Sequence, residues 1–141
     1  MGVYHVHCRE LKRKHFDSMK SHVSADPELK EKGVIRILEI GAASGYNFEF
    51  YPAGSELTVV EVNPFFEQQF FEKQKEHPHI VMKRFVVGFA EDMKEVEDNS
   101  IDIVVSTMVL CSVRSIQKTL NEVQRVLAPV SSILTASNQI N

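Results

Sequence analysis

The stretch RILEIGAASGYNFEFYP, residues 36–52, decides how the rest of the chain reads. It opens on apolar residues interrupted by one acid, Glu39, passes small residues at Gly41, Ala43 and Gly45, and ends in an aromatic segment closed by Pro52. That pattern predicts a strand, a tight loop and a short helix or turn over residues 44–51. A dinucleotide fingerprint wants glycines at positions 41, 43 and 46; the chain has Gly41, Ala43 and Tyr46. A phosphate-binding P-loop wants Gly-Lys-Ser/Thr, which is absent here. Neither phosphate motif fits the loop.

Working outward, residues 34–40 and 56–62 (ELTVVEV) predict the first two strands, IVMKRFVVGFA (80–90) holds a third, and SIDIVVSTMVL (100–110) a fourth. The fourth is continuous and apolar, as expected of a strand covered on both faces. Between them NPFFEQQFFEKQKEH (63–77) predicts a helix with Asn63 as N-cap and Pro64 at its first position, and with Phe66, Phe70 and Lys73 on one face. EDMKEVED (91–98) predicts a short acidic helix or loop. SIQKTLNEVQRVLA (115–128) predicts a helix on the stripe Ile116, Leu120, Val123 and Leu127, stopped by Pro129. Lys83 and Arg84 are expected in a solvent turn, and His77 and His79 in a loop around Pro78.

Ahead of these elements, the first eight residues read as a loose terminus, so His5, His7 and Cys8 are not taken as a metal site. RELKRKHFDSMKSHV (9–23) predicts a helix with Leu11, His15, Met19 and Val23 on one stripe, followed by a linker marked by Asp26-Pro27 and Gly33. Strands alternating with helices imply an α/β fold: a Rossmann-like, doubly wound, mainly parallel sheet, here shortened to four or five strands. The expected organisation is an N-terminal tail and basic helix over 1–33, a cofactor-binding core over 34–129, and a divergent tail over 130–141. In that tail SSILTAS (131–137) offers a fifth strand.

Composition bounds the function. The chain has 141 residues, 43% hydrophobic and 25% charged, enough for a core without covalent staples. A net charge of -3 argues against a nucleic-acid binder. Residues 1–36 carry eight Lys/Arg against five Asp/Glu, read as a solvated helix face. Two distant cysteines, Cys8 and Cys111, give no disulfide or zinc spacing, and point to a reducing, cytoplasmic setting. Cys111 reads as a small buried hydrophobe. No apolar run approaches the roughly 20 residues of a membrane span.

The spacing acid-x-Gly-x-small-x-Gly fits S-adenosyl-L-methionine, a cofactor without a pyrophosphate. Gly41 and Gly45 let backbone approach the ligand in conformations closed to other residues. Glu39 offers a carboxylate toward the methionine ammonium. Glu61 ends the second strand twenty residues after Gly41, where an acid accepts hydrogen bonds from ribose hydroxyls. No catalytic acid or base stands out, and none is demanded where the acceptor is already a thiolate and catalysis rests on alignment.

ILEIGAASGYNFEFYP, VVEVNPFFEQQF, RFVVGFAEDM, SIDIVVSTMVLCSV and EVQRVLAP, in this order, resemble a class I S-adenosylmethionine-dependent methyltransferase of the methyltransferase type 11 group. Within that group the chain is similar to animal methyltransferase-like proteins that methylate small thiols at endoplasmic reticulum or lipid-droplet membranes. The resemblance implies that Glu39, Gly41, Ala43 and Gly45 line the methionine end and that Glu61 holds the ribose, flanked by Val62 and Asn63. It implies that Phe89, Ala90 and Glu91 meet the adenine, and that Thr107 lies under the sulfonium with Val109 and Leu110 nearby. It implies a small-molecule methyl acceptor, a thiol by class, and peripheral membrane contact.

The chain departs from the family pattern in four places. Ala43 stands at the loop's middle glycine, where it crowds the ligand unless φ is negative. Phe89 replaces the usual adenine-reading Asp, with Glu91 or Asp92 as substitutes. The hydrophobic N-terminal anchor is not seen. After Pro129 the family's Gly-Gly and later strands give way to VSSILTASNQIN, as in a shortened product or fragment of a longer gene. The expected function is methyl transfer from S-adenosylmethionine to a small acceptor; the alternative is a catalytically inactive cofactor-binding or regulatory remnant.

Overall fold

The computed structural model describes residues 2–107 and 112–136, with side chains described over 9–107 and 112–129. The apolar runs form β1 (Arg36–Ile40), β2 (Glu56–Glu61), β3 (Val81–Val87), β4 (Ile101–Thr107) and β5 (Leu127–Ala136). They make one sheet in the order β3-β2-β1-β4-β5, every neighbouring pair parallel. Strand order reverses between β1 and β4, so the crevice used by ligands in such sheets opens at the carboxyl ends there. The residues 131–136 of SSILTAS do pair as a strand: Ile133 stands opposite Val104 and Leu134 opposite Val105. The apolar centre of β4 is therefore covered along its edge.

Both sheet faces are buried, which is why the central strands read as unbroken apolar runs. Ile37, Val59, Ile103 and Val105 pack with Phe16, Phe48 and Phe70 on one face. Leu38, Val60 and Val104 pack with Met93, Val123 and Val126 on the other.

The helices are α1 (Gly2–Phe16), α2 (Pro27–Lys32), α3 (Phe66–Gln74) and α4 (Ile116–Val126). Four sequence expectations change here. First, α1 begins at Gly2, so residues 2–8 belong to a helix; it ends at Phe16 in a 3-10 turn over Asp17–Ser21. Among the described side chains of this helix and its turn, Phe16 and Met19 are buried, while Leu11 and, beyond the turn, Val23 are exposed; the break into a tighter turn shifts the stripe. Second, α4 buries Thr119, Val123 and Val126 and exposes Ile116 and Leu120. The Thr119 hydroxyl donates to the Ser115 carbonyl at 2.9 Å, which lets a polar residue face the core. Third, α3 starts at Phe66 after Phe65, and Asn63 instead closes a turn, its Oδ1 accepting from the Phe65 amide at 3.0 Å. Phe70 is buried; Phe65 is 84% exposed. Fourth, Lys83 and Arg84 lie inside β3, paired with Glu56 and Glu95.

Asp102 fastens the N-terminal segment to the sheet. Its carboxylate accepts from Ser24 Oγ at 2.7 Å, from the Ala25 and Arg36 amides at 2.9 Å each, and from the Arg36 guanidinium at 2.9 and 3.0 Å. No helix among the described residues is long and apolar enough to cross a membrane.

Candidate active site

The loop after β1 shows why its small residues alternate. Gly41, Ala43 and Gly45 all have positive φ, at 70°, 48° and 90°. Alternate left-handed residues coil the chain tightly over the ends of β1 and β2. Gly41 N–H donates to the Val60 carbonyl at 2.8 Å and Gly45 N–H to the Ala42 carbonyl at 3.0 Å. Ala43 does not escape the glycine requirement through a negative φ; it pays for the left-handed conformation with its Cβ. A Cβ on Gly45 would come within 2.4 Å of the Phe48 ring, so here the aromatic segment demands glycine as much as φ does.

Glu61, 5% exposed, faces the loop from the end of β2. One carboxylate oxygen accepts from the Ala43 amide at 2.9 Å and the other from the Asn63 amide at 3.0 Å. Each oxygen keeps acceptor capacity. The cleft beside it, about 240 Å³, is lined by Gly41, Glu61, Val62, Phe89, Ala90 and Glu91, together with Ser112–Arg114. Among these lining residues, Glu91 also anchors the next segment: one oxygen accepts from the Arg114 and Ser115 amides at the start of α4. Burial pushes its pKa up, but its own backbone amide, then the Ser115 and Arg114 amides and the Arg114 charge, outweigh it and hold the carboxyl below its ordinary value. The Arg114 guanidinium stacks over the Phe89 ring at 4.6 Å. Arg114 and Val113 were missed from the sequence, since nothing there shows that the turn before α4 folds back over the cleft.

Glu39, Ala43, Gly45, Asn63 and Thr107 do not line this cleft. Glu39 is 1% exposed and, by strand alternation, shares the sheet face of Ile37 and Val59. There Asn47, equally buried, donates to Glu39 at 2.6 Å and to Thr107 Oγ1 at 3.3 Å. Burial raises the Glu39 carboxyl above its ordinary pKa, partly offset by the nearby Tyr51 hydroxyl, Asn47 and Lys12. The Tyr51 hydroxyl is buried without a hydrogen-bond partner among the described residues. Burial and then the Glu39 charge push it well above the usual phenol value. Asn47 was overlooked because it stands in an aromatic run; a lone amide between buried aromatics was the available signal. Val109, Leu110 and Cys111 lie outside the described residues, as do the side chains of His5, His7 and Cys8.

The comparisons with known proteins now bear on a defined site. Residues 38–135 match the family model described as a methyltransferase domain. The chain belongs to that family. It is the methyltransferase type 11 group. Thiol S-methyltransferase TMT1B of Mus musculus is 47% identical over 97 residues, covering 69% of this chain and 40% of the relative. Thiol S-methyltransferase TMT1A of Homo sapiens is 39% identical over 127 residues, covering 90% and 50%. The chain thus spans about half the length, or less, of these relatives. A solved Pyrococcus horikoshii protein, PH0226, superposes with a TM-score of 0.72 at 19% identity, covering 97% of this chain and 59% of that one. This likeness shows the Rossmann-like fold alone.

Proposed function

We propose that this chain binds S-adenosyl-L-methionine at the strand ends and transfers its methyl group to a small thiol. The observation that carries the reading is the Glu61 carboxylate, held beside Gly41 in the lining of the cleft by two backbone amides, with acceptor capacity to spare. Those amides fix its orientation before a ligand arrives, which suits it to two ribose hydroxyls. The donor set fits a nucleoside: apolar Val62 and Ala90 flank the base, and Phe89 offers a ring where the usual acid is missing. The Ser106 hydroxyl, opposite Ile40 at the strand end, is buried without a partner among the described residues. Such an orphan supports a polar ligand nearby.

In this reading Gly41, Glu61, Val62, Ala90 and Glu91 hold the adenosine end. The backbone of Ala43 and Asn63 serves by orienting Glu61. Glu39, Gly45 and Thr107 shape the methionine end with Asn47. The cofactor supplies an electrophilic methyl group on a sulfonium; the protein's residues bind it, align the acceptor and exclude water. The thiol class comes from the names of the relatives TMT1A and TMT1B.

Calorimetric titration with S-adenosylhomocysteine tests the pocket without any acceptor. Saturable binding is expected, weakened roughly tenfold to a hundredfold in Glu61→Ala, as for loss of a charged hydrogen-bond acceptor. Folded protein that does not bind at millimolar ligand refutes the reading. Formation of S-adenosylhomocysteine from S-adenosylmethionine with a small thiol then tests transfer.

A further inference from the structure

The turn before α4 is fastened to the β3 side of the cleft twice, in opposite directions. Glu91 Oε1 accepts from the Arg114 amide and, at 3.1 Å, from the Ser115 amide. Ser115 caps α4, its hydroxyl accepting from the Lys118 amide at 3.2 Å. Its own N–H lies outside the helix ladder, so it needs an acceptor from elsewhere. The Arg114 side chain crosses the other way: its guanidinium sits over the Phe89 ring, 4.6 Å from the centroid. Glu91 thus holds the backbone of 114–115, and Arg114 covers the residue two before Glu91. Phe89, Glu91 and Arg114 all line the one cleft.

Among the described residues the acids lining that cleft are Glu61 and Glu91, and both are held by backbone amides. Glu61 takes the Ala43 and Asn63 amides at the end of β2. The Glu91 carboxylate engages its own amide besides those of Ser115 and Arg114, and the Arg114 charge acts on it as well. It is committed to the wall it builds. Position 89 carries a ring in place of an acid. This end of the cleft therefore offers flat surfaces: Phe89, 44% exposed, with a planar guanidinium on it, beside apolar Val62, Ala90 and Val113. Aromatic rings and Arg planes hold nucleobases by their faces, with little regard to what the base edge carries.

We propose that Phe89 and Arg114 set the base specificity of the cofactor site, taking the purine by its face and leaving its N6 amine unread. Glu91 is a positioning residue that acts through the 114–115 backbone. This rests on the cofactor reading above and deepens it: the site takes nucleoside cofactors altered at N6, a class that a site built to hydrogen-bond the amine rejects.

The test is calorimetric titration of the full chain with S-adenosylhomocysteine and with its purine-riboside analogue, in which hydrogen replaces the N6 amine and N1 is unchanged. The wild type should bind the two within about tenfold of each other, since loss of a hydrogen bond to a charged acid costs more than that. The purine's ultraviolet absorbance should drop on binding. Phe89→Ala and Arg114→Lys should each weaken both ligands about tenfold and diminish that drop, as for loss of one stacking plane. Arg114→Lys keeps the charge beside Glu91 and covers the case in which Phe89→Ala does not fold. Glu91→Ala should weaken both ligands in parallel, and Glu91→Gln, whose amide oxygen still accepts, should recover most of the loss. The proposal is overturned, with the cofactor reading intact, if the wild type binds the analogue more than about tenfold more weakly. It is also overturned if Glu91→Ala weakens S-adenosylhomocysteine alone, or if a folded Arg114→Lys binds as the wild type does. Failure of the folded wild type to bind S-adenosylhomocysteine overturns the cofactor reading itself.

Discussion

At the scale of single residues, the loop after β1 holds two opposite departures from ease. Ala43 occupies φ 48°, where a Cβ costs roughly 1–2 kcal/mol. Glycine removes that strain but loses more freedom on folding, about 0.4–1 kcal/mol. Ala43→Gly should therefore stabilise the protein by about 0.5–1 kcal/mol in urea melts, without loss of S-adenosylhomocysteine affinity. Gly45→Ala runs the other way. It meets a φ of 90° and a Cβ placed 2.4 Å from a buried Phe48 ring atom. Strain and overpacking together should cost about 3 kcal/mol. The spacing of small residues was legible in the sequence; that position 43 is also left-handed was not, because alanine there hides the φ it must adopt.

At the scale of elements, the strands were legible because burial on both faces writes itself as continuous β-branched runs. The helices were legible as helices but not by face. The Leu11–Val23 stripe failed because α1 turns 3-10 at Asp17 and packs through Phe16, with Arg9 and Lys12 reaching Glu49 and Asn47 beside it. The α4 stripe failed because Thr119 hides its hydroxyl on Ser115. Glu61 was found as an acid at a strand end, whereas Asn47 escaped, since its role depends on Lys12, Glu39 and Thr107 meeting in space. The same dependence on distant partners applies to Asp102, which joins the 24–25 segment, β1 and β4. Burial acts to raise its pKa, but hydrogen bonds, first from Arg36 and then from Ala25, the Arg36 amide and Ser24, outweigh it and hold the value down. A carboxyl with a depressed folded pKa stabilises above its unfolded value, near 3.9, and loses that stabilisation as pH falls through the lower folded value. Urea melts of the wild type below about pH 4 should therefore weaken more steeply with acid than those of Asp102→Asn. Asp102→Ala, which strands the Arg36 guanidinium and two amides, should cost about 3–5 kcal/mol at neutral pH.

At the scale of the whole molecule, the sheet order puts β3 and β5 on its two edges and the cleft over its middle. What lies at the β4 side therefore decides whether the middle is held. Ile103, Val104 and Val105 are buried to 2% exposure or less, with β5 paired along this stretch from Ser132 to Leu134. Removing β5 would strip their edge of backbone partners and leave an apolar strand open to pairing with another chain. It would also free the strand whose last residue, Thr107, receives the Asn47 amide. A chain ending at Pro129 should lose its single cooperative thermal transition and elute as aggregates in size-exclusion chromatography, while the 141-residue chain elutes as one species. S-adenosylhomocysteine titration separates the two causes of failure. If the shortened chain is monodisperse and binds as the longer one does, β5 is dispensable and the pocket is held by β1 to β4 without it. If binding and cooperativity vanish together, the fifth strand is what keeps the loop and Glu61 in register.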